Sequence, residues 1–146
     1  MNEDNHNHLP NGLSPDQINT HNRNTLMETL GIIFTHVSPE RTEAVMPVGR
    51  QVCQPFGILH GGATLALAES VAGQGSLLLC ETDEVPAGIQ VSCNHVSSAR
   101  EGDKVRAVGT IIHKGRTIHV WNIDIFTSSN KLVSSVRVVN SILKRR

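Results

Sequence analysis

Four runs in the second half of the chain alternate apolar and polar positions with a period of two. Ile89, Val91 and Cys93 alternate with Gln90, Ser92 and Asn94. Val105, Ala107, Gly109 and Ile111 share one face of the next run, and Trp121, Ile123 and Ile125 share one face of the third. In the last, Val136 and Val138 alternate with Arg137 and Val139. This pattern predicts antiparallel strands with one covered face. The links are short and turn-like: Arg100-Glu101-Gly102-Asp103, Lys114-Gly115-Arg116 and Ser128-Ser129-Asn130. Earlier, residues 32–36 and 42–48 are strand-like on either side of the turn signal Ser38-Pro39-Glu40. Residues 24–31 read as a short helix closed by Gly31.

One stretch breaks the alternation. Residues 61–80 are apolar nearly all round, which predicts a long helix wrapped by a sheet and not lying on a surface. Ala63, Ala66, Ala68, Ala72, Gly73 and Gly75 are small, so sheet side chains can approach it closely. The order is helix, two strands, long helix, four strands. The expected class is α+β, a curled antiparallel sheet of about six strands around one long central helix. No internal repeat is visible.

Composition narrows the picture. A chain of 146 residues suits one domain with a real core. Residues 1–20 are rich in Asn, His, Pro and Asp and are expected to form a mobile tail, leaving 21–146 as a single domain. The formal net charge is +0, which gives no footing for nucleic acid or for an acidic partner. Cys53, Cys80 and Cys93 form no C-x-x-C pair, so neither a disulfide framework nor a zinc site is expected, and a reducing, cytoplasmic setting fits. The polar start MNEDNHNHLPNG does not read as a signal peptide. Residues 61–80 have the length of a membrane span, but Glu69, Gln74 and four glycines argue for burial inside the protein.

The candidate chemistry lies in QPFGILHGGATLALAES, residues 54–70. A helix beginning at Gly61-Gly62 has unpartnered N–H groups and partial positive charge in its first turn. Gly61 N–H is thus a candidate oxyanion donor, or simply an ordinary helix start. Glu69 sits among Leu65, Ala66, Leu67, Ala68, Val71 and Ala72. There, desolvation would strengthen it as base or nucleophile; the alternative is a structural Glu with a buried partner. Eight residues separate the two, roughly 12 Å of helix at about 1.5 Å per residue. One chain cannot bring both to one reacting atom, so a site using both needs two subunits. His60 is either a helix-entry residue or a donor beside the carbonyl or leaving group. Gln54 either satisfies a loop or orients a water.

Other residues say less. His6 and His8 fall in the tail, and His113 and His119 flank a turn without a convincing metal pattern. His95 and the hydroxyl-, cation- and turn-bearing run to Gly102 form either a rim for a phosphorylated ligand or a solvated turn. There is no G-x-S-x-G elbow around Ser70 or Ser76, no P-loop and no G-x-G-x-x-G.

Taken together, Gln54 to Ala63, then Ala68-Glu69-Ser70, resemble the hotdog-fold acyl-CoA thioesterases. The likeness is to the glutamate-type branch that acts on 1,4-dihydroxy-2-naphthoyl-CoA and 4-hydroxybenzoyl-CoA. It continues through Asn94-His95-Val96, Ser98 to Gly102 and Val120-Trp121, and covers residues 25–143. The resemblance implies homodimers with shared active sites, commonly assembled as homotetramers. It implies Glu69 as nucleophile or general base, Gly61 N–H polarising the thioester carbonyl, His60 holding the carbonyl or thiol end, and Gln54 positioning the thioester or water. His95, Ser98 and Arg100 match a region that lies along CoA in relatives, and Gly115, Arg116 and Thr117 match another. It implies no metal and no cofactor, CoA being part of the substrate. Relatives often carry Ser or Thr where this chain has Gly73, and can carry Arg at the position of Ser97. The rival expectations are a non-catalytic acyl-CoA binder and a hotdog dehydratase.

Overall fold

The computed structural model describes residues 12–146. Helices α1 (Pro15–His21) and α2 (Leu26–Leu30) lead into strands β1 (Ile33–Val37) and β2 (Arg41–Pro47), then helix α3 (Gly61–Leu79). Strands β3 (Glu84–His95), β4 (Lys104–Lys114), β5 (Ile118–Phe126) and β6 (Leu132–Lys144) complete the chain. The six strands form one sheet in the order β1-β2-β4-β5-β6-β3, every pair antiparallel. This is the expected α+β architecture.

Alternation predicted the buried faces. Val105, Ala107 and Gly109, then Trp121, Ile123 and Ile125, then Val136 and Val138 are all buried, and they close on Leu67, Ala68, Val71 and Ala72 of α3. Small helix residues permit that approach. A Cβ at Gly75 would stand 2.7 Å from Trp121 Cζ2, and one at Gly109 would stand 2.8 Å from Val71 Cγ1. Gly31 ends α2 in the left-handed region at φ 75°, as a helix-closing glycine does.

Two expectations need correcting. The tail read over residues 1–20 runs too far: residues 1–11, with His6 and His8, lie outside the described residues, but α1 begins at Pro15. Ser14-Pro15-Asp16-Gln17 is a capping box with proline in the first turn, and Ile18, 1 % exposed, anchors the helix in the core. Asn19 then mimics a paired strand, its Nδ2 donating to Phe34 O (3.0 Å) and its Oδ1 accepting from Phe34 N–H (2.8 Å). Polar composition hid a helix that needs only one buried side chain.

The second correction concerns α3, which is not enclosed all round. Gly62 and Glu69 are exposed, and Leu65, Ala66 and Gly73 are half-buried on the same stripe. The sheet is open at that side because β3 is an edge strand, paired only with β6. Pro86, which has no N–H to give a second neighbour, is tolerated there. Among the described residues no helix is long and apolar enough to cross a membrane.

Candidate active site

His60 is the N-cap of α3 and uses up most of its first-turn donors. Its Nδ1 accepts from Gly62 N–H at 2.8 Å, and its carbonyl accepts from Ala63 N–H (3.1 Å) and Thr64 N–H (3.2 Å). Among the described residues no acceptor meets Gly61 N–H, so this donor remains at the positive end of the helix dipole. His95 closes the space beside it: a Cβ at residue 61 would stand 2.8 Å from His95 Nε2. Only glycine fits between the helix start and that imidazole.

His95 is held from behind. Its Nδ1 lies 2.8 Å from Ser134 Oγ, and Ser134 is fully buried. Nε2 is thereby turned toward Gly61. Ser134 carried no signal in the sequence; it reaches His95 because β3 and β6 pair those two residues directly. Gln54, Gly61, His95 and Ser98 line one cleft of ≈ 320 Å³, floored by Leu59 and Val133. Arg100 is exposed beside it, bridged through its backbone to Ile58. His60, by contrast, lines a separate shallow groove with Leu26, Gln51 and Ala66, its ring committed to capping. The thiols nearby are poor nucleophiles, since burial pushes both Cys53 and Cys93 up.

Glu69 is not in this cleft. The unbroken α3 carries it eight residues from Gly61, and its carboxylate lies over Gly88, where any side chain would collide with Oε1. In the single chain it is exposed, so the burial expected from its apolar neighbours in sequence is absent. Those neighbours face the sheet; Glu69 occupies the open stripe. Gly61 and Glu69 thus stand over different parts of β3, one at its last residue, His95, and the other at Gly88 near its middle. The two positions are seven residues apart, roughly 23 Å of strand contour.

The outer candidates divide the same way. Ser98 and Arg100 lie at the His95 end. Gly115, Arg116 and Thr117 form the β4–β5 hairpin, where Gly115 N–H donates to Ile118 O and Thr117 O accepts from Ile142 N–H, both at 2.8 Å. Ile142 pairs with Pro86, so the hairpin sits at the Glu69 end. His113 and His119 do not share a ligand set: His113 is exposed and His119 is buried. Among the described residues no group of three or more His, Cys, Asp and Glu is placed to hold a metal ion.

This arrangement sits in a recognised framework. A sequence model of the thioesterase superfamily matches residues 56–134. The chain is 38% identical over 128 residues to the 1,4-dihydroxy-2-naphthoyl-CoA hydrolase of Escherichia coli (strain K12), spanning 88% of this chain and 93% of that one. A solved thioesterase from Haemophilus influenzae superposes with a TM-score of 0.86 at 36% identity, over 90% of this chain and 92% of the other. A mutant thioesterase from Pseudomonas aeruginosa gives 0.87 at 34% identity, over 91% and 96%. Sequence and fold therefore point to one family, and the chain belongs to it: the thioesterase superfamily, as a hotdog-fold thioester hydrolase.

Proposed function

We propose that the protein hydrolyses the thioester of an aromatic or medium-chain acyl-CoA to the free acid and CoA, in sites shared between two copies of the chain. One observation carries this reading: the free Gly61 N–H and the Glu69 carboxylate stand at separated points along β3, at His95 and at Gly88, and the outer side of this edge strand has no neighbour among the described residues. A two-fold axis near Val91 and Ser92 would pair β3 with its copy antiparallel and exchange the two points. The partner subunit's Glu69 then faces Gly61, and the partner subunit's hairpin 115–117 faces His95, Ser98 and Arg100. Both halves of the chemistry and both halves of a CoA site meet by the same operation. The other sheet edge, β1, is capped at Phe34 by the Asn19 amide, whereas β3 carries no such cap among the described residues.

The chemistry follows from the parts. The thioester oxygen accepts from Gly61 N–H, so charge developing in the transition state meets a preorganised donor. The partner subunit's Glu69 either draws a proton from the attacking water, or attacks the carbonyl carbon itself to form an acyl anhydride that water then hydrolyses to the free acid, restoring the carboxylate. Gln54 orients the thioester or the water, and His60, by capping α3 through Gly62 N–H, holds the neighbouring Gly61 donor in place for the carbonyl. The tetrahedral intermediate collapses with cleavage of the C–S bond, and the thiolate takes up a proton as CoA leaves. The reaction draws on no metal or cofactor. The assembly doubles to a tetramer, and the setting is cytoplasmic, where CoA thioesters and reduced cysteines coexist.

Thiol release from benzoyl-, 1,4-dihydroxy-2-naphthoyl- and octanoyl-CoA tests the reaction, and Glu69→Ala should abolish most of it without unfolding. Mixing tests the geometry. Glu69→Ala and Gln54→Ala, each inactive alone, should recover activity when refolded together, because half of the sites in a mixed dimer are intact. No recovery would place the site in one chain. Acyl-CoA binding without thiol release would return a non-catalytic binder, and an enoyl thioester product a dehydratase.

A further inference from the structure

We propose that Ser134 is a positioning residue for the hydrolysis: its hydroxyl gives its hydrogen to His95 Nδ1 and so presents His95 Nε2–H beside Gly61 N–H, as a second donor to the thioester oxygen. The inference rests on the hydrolase reading and deepens it by completing the oxyanion donor set. A carbonyl oxygen has two lone pairs, and Gly61 N–H fills only one of them. The second donor has to come from the same cleft. Among its polar side chains, the Thr64 hydroxyl returns to His60 O and the Ser97 hydroxyl donates to Leu132 O. His95 is the side chain that closes on Gly61. A Cβ at residue 61 would stand 2.8 Å from His95 Nε2, against 3.3 Å from Cε1 and 3.4 Å from Cδ2. The ring therefore points its Nε2 corner at the start of α3.

What that corner carries is decided behind the ring. Ser134 is fully buried, and its Oγ lies 2.8 Å from His95 Nδ1. Its hydroxyl hydrogen has two acceptors within reach, Nδ1 and the sulfur of Cys93. Sulfur is a weak acceptor and an imidazole nitrogen a good one, so the hydrogen goes to Nδ1. A neutral ring that accepts at Nδ1 carries its own proton at Nε2. Cys93 does not take that proton either. Its Sγ stands 3.6 Å from Nδ1 and 3.7 Å from Nε2, and an atom equidistant from both nitrogens lies along neither N–H direction. The Nε2–H is thus free for the cleft, and a neutral imidazole is an effective electrophile toward a carbonyl. The support is rigid, because Ser134 pairs with His95 on one side and with Ile125 on the other.

Two measurements test this on the intact protein. Histidine ring ¹⁵N NMR, recorded above the ordinary histidine range and assigned by comparison with His95→Leu, reads the tautomer. Thiol release, from whichever of benzoyl-, 1,4-dihydroxy-2-naphthoyl- and octanoyl-CoA wild type turns over fastest, reads the function. Wild-type His95 should be the Nε2–H form, and Ser134→Ala should convert it to a mixture with Nδ1–H. His95→Leu should lower kcat by about 10²–10³, as loss of an oxyanion donor does. Ser134→Ala should lower kcat about tenfold with KM changed less than about twofold, and Ser134→Thr, which keeps the hydroxyl, should restore both tautomer and rate. An Nδ1–H tautomer in wild type overturns the inference, and that result needs no variant to fold. So does a change confined to KM, which would make His95 a group that holds CoA. A Ser134→Ala protein that loses melting temperature but keeps its tautomer and kcat overturns it too, leaving Ser134 a structural serine. Each of these results leaves the hydrolase reading standing. No thiol release from wild type overturns that reading, and the inference falls with it.

Discussion

Replacing Ser76 by alanine should cost this protein about 2–4 kcal/mol of stability, and the structure says where each part arises. Ser76 is fully buried on α3, and three side chains from two strands converge on its hydroxyl. Trp121 Nε1 donates to Oγ at 2.8 Å and Asn140 Nδ2 donates at 3.0 Å. A hydroxyl has two lone pairs and one hydrogen, so these donors fill its acceptor capacity. Its own hydrogen goes to His119 Nδ1, 2.9 Å away, which fixes His119 as the neutral Nε2–H tautomer. In Ser76→Ala the buried Trp121 N–H is orphaned, a cost of about 1–3 kcal/mol. Asn140 keeps Ala72 O at 3.2 Å, while His119 loses its donor. With an unfolding entropy near 2.1 cal/mol/K per residue, the Tm should fall by about 6–13 °C. The single tryptophan sits at the hub, so urea unfolding followed by its fluorescence reports the right place. Ser70→Ala is the control, since the Ser70 hydroxyl only returns to Ala66 O of its own helix. A loss below about 0.5 kcal/mol, equal to the control, would refute the hub reasoning.

Two further outcomes follow from the same core. Gly75→Ala should destabilise by about 1–3 kcal/mol through overpacking, because its methyl meets the Trp121 ring; thermal unfolding at fixed protein concentration measures it. His119 is held below its ordinary value of 6.5, first by burial and then by Lys114, so the native state binds fewer protons than the unfolded chain. Stability should therefore be full above pH 6.5 and decline as pH falls below it, and His119→Gln should flatten that decline in urea midpoints between pH 7.5 and 5.5.

The sheet was legible because alternation is local: each residue's face is set by its neighbours at i±1 and i±2. The helix end was legible for a similar reason, since His60-Gly61-Gly62 places a cap and two glycines where the first-turn donors lie. What composition could not show was anything that depends on register. Ser134 behind His95 and Ser76 beneath Trp121 are ordinary serines until strand pairing is known. His119 looked like half of a weak metal pattern for the same reason; it belongs to the hub, and His113 faces away from it. The burial expected of Glu69 failed on rotation. Its sequence neighbours are apolar because they face the sheet, and the same helical turn that buries Leu67 and Ala68 exposes residue 69.

That rotation links the hub to the site. Glu69 and Ser76 are seven residues apart, two turns along nearly the same face of α3. Pairing sets Gly88, Asn140 and His119 side by side on β3, β6 and β5. The helix face that carries Glu69 over Gly88 is thus fastened to the next two strands at Ser76. Apolar packing alone would tolerate a small turn or slide of a helix lined with alanine and glycine, because its ridges are shallow. A hydroxyl with all three of its hydrogen bonds fixed in direction tolerates neither. If Glu69 must meet a Gly61 on another chain, its position has to be set within each protomer before the two associate. The Ser76 hub does this from inside the core. Ser76→Ala should therefore lower kcat at temperatures where the variant remains fully folded, a loss that stability alone would not produce.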